Sequence, residues 1–414
     1  MKKNLIIRKK CVLCESKKLK VVINFNKTPL ANSYVKKPKI KEKLYPLVCI
    51  LCLDCKHLQL KYLVKPKVLF ENYLYVSGTS PVHVKHFENY FKRIKKTLKF
   101  KKSKDKILDI ACNDGTFLNF FKKDKFKNVV GIEPAKNLRH LNKTKKIDIN
   151  TSFFNYKSSF HFKKKYQEFK IITANNVFAH VPDLKDFALG VKNILSKEGL
   201  FIFEVSYLKD VLKKLTFDTI YHEHMSYHSL KPLVNFFNSI DLKVVDFDLV
   251  EAQGGSIRVF VGHKNYKSNF LKIKKQIRIE EKAGLFLDRT YFNYFKKIKL
   301  QKSKISNFIK ANLSEDKIFA GYGAPAKATT FCHVFDLGKN EIRFIIDDNN
   351  LKQNKYTPGK NIKILNFEKL QVKKFDYIII LAWNFTKPII QKLKKNIKNK
   401  KFKIIVPFPN LKII

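Results

Sequence analysis

In the middle of the chain, short apolar runs alternate with segments of helical spacing. The apolar runs KILDI, NVVGI, FKIITA and GLFIFEV are short and rich in β-branched residues, which is typical of buried strands. Apolar residues in HVKHFENYFKRI and LKDFALGVKNIL recur at the three- and four-residue spacing of a helix face. Strands that alternate with helices in this way form doubly wound parallel sheets, so we expect a Rossmann-like α/β domain here.

A second alternating block follows near the C-terminus. It contains KIFAGYGAPAKATTF, EIRFIIDD, DYIIILAWN and FKIIVPFP, and it is preceded by helical spacing over 264–313. This predicts a helical connector and a smaller Rossmann-like α/β unit. The first 70 residues instead show short segments rich in Cys and Pro. The predicted domains are therefore 1–70, 71–262 and 263–414.

The charge of the chain is strongly positive, at +51 from 85 Lys and Arg against 34 Asp and Glu. Such a charge attracts anions, including nucleotide diphosphates. Because the basic residues are mostly Lys and extend from Lys2 to Lys412, they indicate a bias in amino-acid usage, and we expect no nucleic-acid partner. No apolar run reaches the roughly 18 residues of a membrane helix. We expect a cytoplasmic protein, a monomer or homodimer, with reduced cysteines.

Two Cys-x-x-Cys pairs lie in the N-terminal segment, Cys11 with Cys14 and Cys52 with Cys55. Four thiolates in a compartment that disfavours disulfides predict a structural, tetrahedral Zn²⁺ site. Cys49 lies close to the second pair, so it could replace Cys52 as a ligand or have no role in metal binding.

The segment DIACNDG ends the first predicted strand at Asp109 and places Gly115 where a helix should begin. Glu133 ends the next strand, where a carboxylate can accept hydrogen bonds from ribose hydroxyls. Dinucleotide folds need closely spaced glycines at the pyrophosphate, but this loop has a single Gly and carries Asp114. A glycine-poor, acidic loop suits the cationic cofactor S-adenosylmethionine.

A resemblance to a known family rests on many motifs in one order. The chain resembles the sugar C-methyltransferases, which use S-adenosylmethionine to methylate a ring carbon of nucleotide-linked deoxy-ketosugars. The motifs are Cys11-x-x-Cys14, TPLAN, CLDCKHLQL, LFENYLYVSG, DIACNDGTFL, GIEPA, TANNVFAHVPDL, FDTIYHEHMSYHSL, GGSIRVFV, GYGAPAKATT, DDNNLKQNKYTPGKNI and LAWNF.

The resemblance implies a zinc-binding lobe, a class I methyltransferase domain and a C-terminal domain that helps to hold the nucleotide sugar. It also implies that residues from three motifs surround the reacting carbon: His224, Tyr221, Tyr75 and His180, with Glu223 as their neighbour. Ala111 stands where the family often has Gly, and Pro325 interrupts the small-residue run of the C-terminal loop. Neither departure removes a chemical group.

The chemistry of C-methylation predicts what these residues do. A ring carbon becomes nucleophilic when a base removes the proton next to a ketone, and imidazole suits that task. We hypothesise that His224 is the base, oriented by Glu223 or a nearby group, and that Tyr221, Tyr75 and His180 hold the keto oxygen or adjacent hydroxyls. In a helical turn Tyr221 and His224 share a face, whereas in a strand they point to opposite sides.

The remaining site predictions concern the two ligands. The cofactor is expected to contact the loops that follow three strands, with Asp109, Asn113, Asp114, Gly115, Glu133, Pro134, Ala174 and Asn175. Lys327, in the glycine-containing turn GYGAPAK, and Arg258 are candidates for the substrate diphosphate.

Two other functions are consistent with parts of the sequence. The zinc lobe and positive charge would also fit a methyltransferase acting on RNA or on another small molecule, although NNVF stands where a base-methylating enzyme would carry an Asn/Asp-Pro-Pro-aromatic loop. A non-catalytic, basic, zinc-containing binding protein is the other alternative. Intact Asp109, Glu133, Tyr221 and His224 argue against it.

Overall fold

The computed structural model describes residues 4–38, 41–71, 73, 75–138, 141, 147–397 and 401–414. An N-terminal lobe is followed along the chain by two α/β units, which are the two units that the alternating pattern predicts. Of the helices in these ranges, none combines the length and apolar character needed to cross a lipid bilayer.

The N-terminal lobe is built on short antiparallel strands. Its bounds are β1 (Leu5–Ile7), β2 (Leu19–Thr28), β3 (Tyr45–Cys52), β4 (Leu58–Leu60), β5 (Tyr62–Val64) and helix α1 (Pro66–Phe70). Strands β2, β3 and β4 form a sheet whose fourth strand, β11 (Ser226–Tyr227), comes from the middle of the chain. Ser226 pairs with Gln59 and Tyr227 with Leu58. The lobe is therefore completed by residues 221–229, the base segment, which contains the predicted base His224.

The central unit is a seven-stranded sheet in the order β12-β13-β10-β9-β6-β7-β8. Strand β13 is antiparallel to both of its neighbours, while the pairs from β10 to β8 are parallel. Its elements are α2 (Pro81–Thr97), β6 (Lys106–Ile110), α3 (Thr116–Lys123), β7 (Asn128–Ile132), β8 (Asp148–Asn150), α4 (Tyr156–Tyr166), β9 (Phe169–Asn175), α5 (Leu184–Ile194), β10 (Leu195–Ser206), α6 (Leu208–Lys213), α7 (Leu230–Asn238), β12 (Leu242–Val250) and β13 (Ser256–His263).

Helix α2 shows why the sequence folds locally in this way. Ser80 caps its first turn by accepting from the His83 amide, and Pro81 occupies a position where a helix needs no N–H. Its buried side chains recur at helical spacing and pack on one face of the sheet, at His83, Phe87, Tyr90 and Ile94.

The C-terminal unit is a six-stranded sheet in the order β16-β15-β14-β17-β18-β19. The connector forms two helices, and the bounds are α8 (Phe270–Lys282), α9 (Asp288–Leu313), β14 (Phe319–Tyr322), α10 (Ala326–Phe335), β15 (Phe344–Ile346), β16 (Ile364–Leu365), α11 (Lys369–Val372), β17 (Tyr377–Ile380), α12 (Thr386–Asn396), β18 (Lys403–Val406) and β19 (Lys412–Ile413).

One hydrophobic cluster joins the lobe, the base segment and the C-terminal unit. Phe217, just before the base segment, stacks on Phe335 of helix α10 and also contacts Phe25 of the lobe. Burying a large aromatic side chain stabilises packing by about 2–3 kcal/mol. The base segment is therefore fixed by both flanking units.

Candidate active site

The four predicted thiolates converge. The sulfur atoms of Cys11, Cys14, Cys52 and Cys55 all lie within 4.8 Å of one another, and the Cys11–Cys55 and Cys14–Cys52 pairs are 3.5 Å apart. Tetrahedral Zn–S bonds of about 2.3 Å place sulfurs about 3.8 Å apart, so this donor set fits zinc.

Cys49 lies outside that cluster. It is fully buried in β3, where it pairs with Leu60 of β4, and burial raises the pKa of its thiol. The structure therefore answers the question that the sequence left open: Cys52 belongs to the thiolate set and Cys49 is a core residue.

Two buried carboxyl groups, those of Asp109 and Glu133, lie at the carboxyl ends of β6 and β7. Asp109 accepts hydrogen bonds from the Thr173 hydroxyl at 2.6 Å and from the Asn175 amide at 3.3 Å. Glu133 accepts from the backbone amides of Asn113 and Ala135, at 2.7 and 2.8 Å. Burial raises the pKa of Asp109 to about 7 and also raises that of Glu133.

These carboxyl groups fit a cationic cofactor. No Lys, Arg or His nitrogen in the described ranges forms an ion pair with Asp109 or Glu133, so a bound positive charge would offset their burial. The Glu133 carboxylate accepts hydrogen bonds from two backbone amides, and it still has lone pairs for ribose hydroxyls. The predicted neighbours Gly115, Pro134, Ala174 and Asn175 lie in the loops or strand ends at this edge.

The loop after β6 has an unusual backbone. Ala111 and Asn113 adopt left-handed φ values of 56° and 54°, and Gly115 follows at 70° as the residue before α3. The family's Gly at position 111 matches this conformation, and Ala keeps it at a cost of about 1 kcal/mol.

Residues 75–78 lie across this loop. The Asn113 side chain accepts from the Ser77 amide and donates to the Tyr75 carbonyl, both at 2.9 Å. Asp114 accepts from the Gly78 amide at 3.2 Å. Asn113 and Asp114 thus hold residues 75–78, the covering segment, over the carboxyl ends of β6 and β7. This end of the sheet, where S-adenosylmethionine is expected to bind, is called the cofactor edge.

We expect Gly78→Ala to weaken cofactor binding about tenfold. A Cβ at this position would lie 2.5 Å from Asp114 Oδ2 and 2.7 Å from Thr116 Oγ1, so the covering segment must move away from the loop. Titration calorimetry with S-adenosylhomocysteine measures the change. Gly338→Ala is the control, because its Cβ meets nothing closer than 3.5 Å; equal affinities in both variants would contradict the prediction.

The base segment forms a turn, which resolves the choice between turn and strand. The His224 amide bonds to the Tyr221 carbonyl at 3.0 Å, and the two side chains share one side of the turn. His224 Nδ1 lies 2.7 Å from the Thr219 carbonyl, which can only accept, so Nδ1 carries the proton. Nε2 then accepts from the Tyr221 hydroxyl at 3.0 Å.

His180 joins this pair. Its ring lies 5.0 Å from that of His224 and stacks on Phe70 of α1. Burial lowers the pKa of His180 to about 4 and that of His224 well below 6.5. Both rings are therefore neutral near pH 7. His180 Nε2 is buried and has no hydrogen-bond partner among the described residues.

Glu223 is held by residues that the sequence did not single out. Asn32, from the TPLAN segment of the lobe, donates to Glu223 Oε1 at 2.6 Å, and the Tyr73 hydroxyl lies 3.4 Å from Oε2. Burial raises the pKa of Glu223 to about 7. Asn32 lies in a motif shared with the family, which is the signal that could have identified it.

Tyr75, which was predicted to join the site, and two histidines without a predicted role, His222 and His228, take other positions. Tyr75 is 39% exposed and its ring lies 6.0 Å from that of His83; in the described ranges no hydrogen bond or ring contact joins its side chain to His224, Tyr221 or His180. His222 bonds to the Tyr45 carbonyl, and His228 packs between His57 and Phe178. His222 and His228 are therefore structural in this fold.

Arg258 has a structural contact that opposes its predicted role at a diphosphate. Its guanidinium is buried, bonds to Glu204 at 2.8 and 3.1 Å and lies 3.7 Å from the centre of the Tyr90 ring. A paired, stacked guanidinium has little capacity left for a phosphate.

Lys327, the second residue predicted to bind the diphosphate, is also buried against other side chains, and its role remains a prediction. It lies in the first turn of α10, is only 6% exposed and sits over the Trp383 ring at 4.5 Å. The turn before it is occupied by the protein itself, because the Ala324 amide donates to Asp347 and its carbonyl accepts from Tyr34. These contacts oppose a simple phosphate site at GYGAPAK.

Comparisons with known proteins match all three units. Family profiles for a zinc binding domain, a methyltransferase domain and a C-methyltransferase C-terminal domain match residues 11–70, 83–246 and 251–409. The C-methyltransferase NovU from Streptomyces niveus is 30% identical over 407 residues, which cover 98% of this chain and 96% of NovU.

Solved structures were also compared with this one. A SAM-dependent methyltransferase from Anabaena variabilis is 13% identical, covers 43% of this chain and 84% of its own, and has a TM-score of 0.34. Magnesium protoporphyrin IX methyltransferase from Synechocystis, solved with bound SAM, is 8% identical over 44% of this chain and 80% of its own, with a TM-score of 0.32.

The match to NovU extends over nearly the whole of both chains, and it includes the thiolate cluster, the cofactor edge and the base turn. Zinc and S-adenosylmethionine, expected from the sequence, agree with the matched domains and with the chemistry of the two sites. The chain therefore belongs to the S-adenosylmethionine-dependent C-methyltransferases that carry an N-terminal zinc-binding domain.

Proposed function

We propose that this C-methyltransferase acts on a nucleotide-linked deoxy-ketosugar, with His224 as the base that forms an enolate. The observation that carries the proposal is the tautomer of His224. Its Nδ1–H is committed to the Thr219 carbonyl, so Nε2 presents a lone pair on the side of Tyr221 and His180. A fixed lone pair is what proton removal from carbon requires.

The groups around Nε2 suit the charge that develops next. Nε2 has a single lone pair, so in this proposal the Tyr221 hydroxyl turns from Nε2 to the keto oxygen when substrate binds, Nε2 then takes the α proton, and the hydroxyl donates to the enolate oxygen. His180, neutral and with an unpartnered Nε2, is a second candidate donor. The bound cofactor supplies the electrophilic methyl group. In this proposal Tyr221 and His180 stabilise the enolate.

Glu223 supports the same step through its charge. It lies in the base turn, and ionised Glu223 would stabilise the imidazolium that His224 becomes. Hydrogen bonds from Asn32 and Tyr73 favour the ionised carboxylate, whereas burial opposes it. Glu223 is thus a positioning and electrostatic residue in this mechanism.

A panel assay tests the substrate class. dTDP-, GDP- and CDP-linked 4-ketosugars are incubated with enzyme and S-adenosylmethionine, and mass spectrometry detects a gain of one methyl group. We expect methylation of at least one of them, together with thermal stabilisation by the same sugar and none by RNA. Methylation of RNA or of an unrelated small molecule, with every ketosugar unchanged, would refute the proposal.

We expect activity to rise as the pH increases through about 7. Burial raises the pKa of Glu223 to about 7, so the carboxyl group is protonated and neutral below that pH and ionised above it. His224 and His180 have lowered pKa values and stay neutral across this range. The measurement is kcat/KM for the sugar from pH 5.5 to 8.5 for wild type and Glu223→Gln, at saturating S-adenosylmethionine, because burial also raises the pKa of Asp109 at the cofactor edge to about 7. The variant should lack the limb near pH 7; an unchanged limb would assign it to another group.

A further inference from the structure

Next to the base turn lie a buried cation and a buried carboxylate that do not touch. Asp218 is fully buried and Lys327 is 6% exposed. Each perturbs the pKa of the other group through its charge, yet no ion pair within 4.0 Å joins them in the described ranges. A buried ion pair normally closes to direct contact, since separation leaves both desolvation costs uncompensated.

Both groups have hydrogen-bonding capacity left. Asp218 Oδ2 accepts from Trp383 Nε1 at 2.6 Å, and the nearby backbone amides of Asp218 and Thr219 also lower the pKa of this carboxyl group, whereas Oδ1 is buried and no donor among the described residues meets hydrogen-bond geometry with it. The Lys327 ammonium has three N–H groups, of which one reaches the Gln253 carbonyl at 3.3 Å. The separation of more than 4.0 Å between the two charged groups, called the gap below, therefore has an acceptor on one side and a charged donor on the other.

This gap belongs to the reaction centre. Asp218 stands three residues before Tyr221, and its charge acts on the Tyr221 hydroxyl, while that of Lys327 acts on His224. Trp383 covers Lys327, and Gly254, at φ 90°, packs so closely on the Trp383 ring that a Cβ would lie 2.7 Å from it.

We infer that Asp218 and Lys327 together bind one hydroxyl group of the sugar, which donates to Asp218 Oδ1 and accepts from the Lys327 ammonium. A hydroxyl has this combination of donor and acceptor in a single atom, whereas a diphosphate would place further negative charge beside Asp218. The pair is a specificity determinant for the sugar ring, and the inference rests on the proposed function.

Single-hydroxyl comparisons test it. In the nucleotide series that the wild type methylates, kcat/KM is measured for the 4-keto-6-deoxy sugar and for its 2-deoxy and 3-deoxy counterparts. We expect one deletion to lower wild-type kcat/KM by at least about 10²-fold, because a site built for a hydroxyl leaves buried groups unpaired without it. Asp218→Asn and Lys327→Met should reduce that discrimination at least tenfold. They should do so by lowering kcat/KM for the hydroxylated substrate, with kcat/KM for the deoxy substrate unchanged.

Trp383 provides a second readout that does not depend on turnover. It is the single Trp of the chain, and its ring lies 4.5 Å from Lys327. Binding of the hydroxylated sugar with S-adenosylhomocysteine should change its emission, and binding of the matching deoxy sugar should change it less. Unaltered affinity for S-adenosylhomocysteine shows that the variants fold.

Three results would overturn the inference. One is a wild type that treats every hydroxylated and deoxy pair alike, which suggests that water alone fills the gap. Another is an equal loss on both members of a pair in the variants. The third is failure of the wild type to methylate any ketosugar, which removes the proposed function as well and is thereby distinguished from the first two.

Discussion

His224→Ala is expected to lower methyl transfer by about 10³-fold or more and to stop exchange of the substrate α proton with solvent. The Nε2 lone pair, fixed by the Thr219 carbonyl on the opposite nitrogen, is the proposed proton acceptor. Without it, neither enolate formation nor methylation proceeds. Exchange is followed by NMR in deuterated water with S-adenosylhomocysteine in place of the methyl donor, so that proton removal is observed separately from transfer.

Two further variants distinguish loss of the catalytic base from a general loss of activity or folding. His161→Ala removes an exposed histidine on α4 and should leave both rates unchanged. Tyr221→Phe keeps the ring and removes the hydroxyl, so it should slow methylation while Nε2 remains able to take the proton. Exchange at the wild-type rate in His224→Ala would assign the base to another group, without affecting the family assignment.

Removal of zinc is expected to destabilise more than the lobe that binds it. Structural zinc sites contribute roughly 10 kcal/mol or more to folding, so treatment with a chelator or Cys52→Ser should lower the melting temperature by about 10 °C or more. Because β11 pairs with β4, and Asn32 of the lobe holds Glu223, methylation should be lost along with the metal. Calorimetry and metal analysis measure both quantities.

Cys49→Ala is the matched control for this experiment. It removes a buried thiol from the same sheet but not from the thiolate cluster, so the zinc content should remain at one ion per chain and the destabilisation should stay near 1–2 kcal/mol. A chelated enzyme that melts at an unchanged temperature would contradict a structural role for zinc.

Local patterns were sufficient for the fold. The strands over 106–110 and 128–132 follow from their short apolar runs, and the cluster of Cys11, Cys14, Cys52 and Cys55 follows from their spacing as two Cys-x-x-Cys pairs. These features depend on residues close together in sequence or on one chemical requirement, so they can be predicted from a single sequence. The predicted domain boundaries near 70 and 262 remain predictions.

The site was only partly predictable, because its residues meet across long sequence separations. Asn32 reaches Glu223 from 191 residues away, and Trp383 reaches Asp218 from 165 away. The spacing of apolar residues along the chain gives no information about such contacts. The same limit applies to Arg258 and Lys327: their positive charge is visible in the sequence, whereas their contacts with the Glu204 carboxylate and the Trp383 ring are not.

The pairing of β11 with β4 has a consequence for how the chain is made. During synthesis, the zinc ligands at 11–55 emerge early, and β4 follows almost at once, but its outer partner at 226–227 appears only about 170 residues later. Until then the lobe has an unpaired strand edge, a feature that promotes association between chains. Contacts of such long sequence separation also slow folding. The base turn is therefore completed in the same late event that closes the zinc lobe.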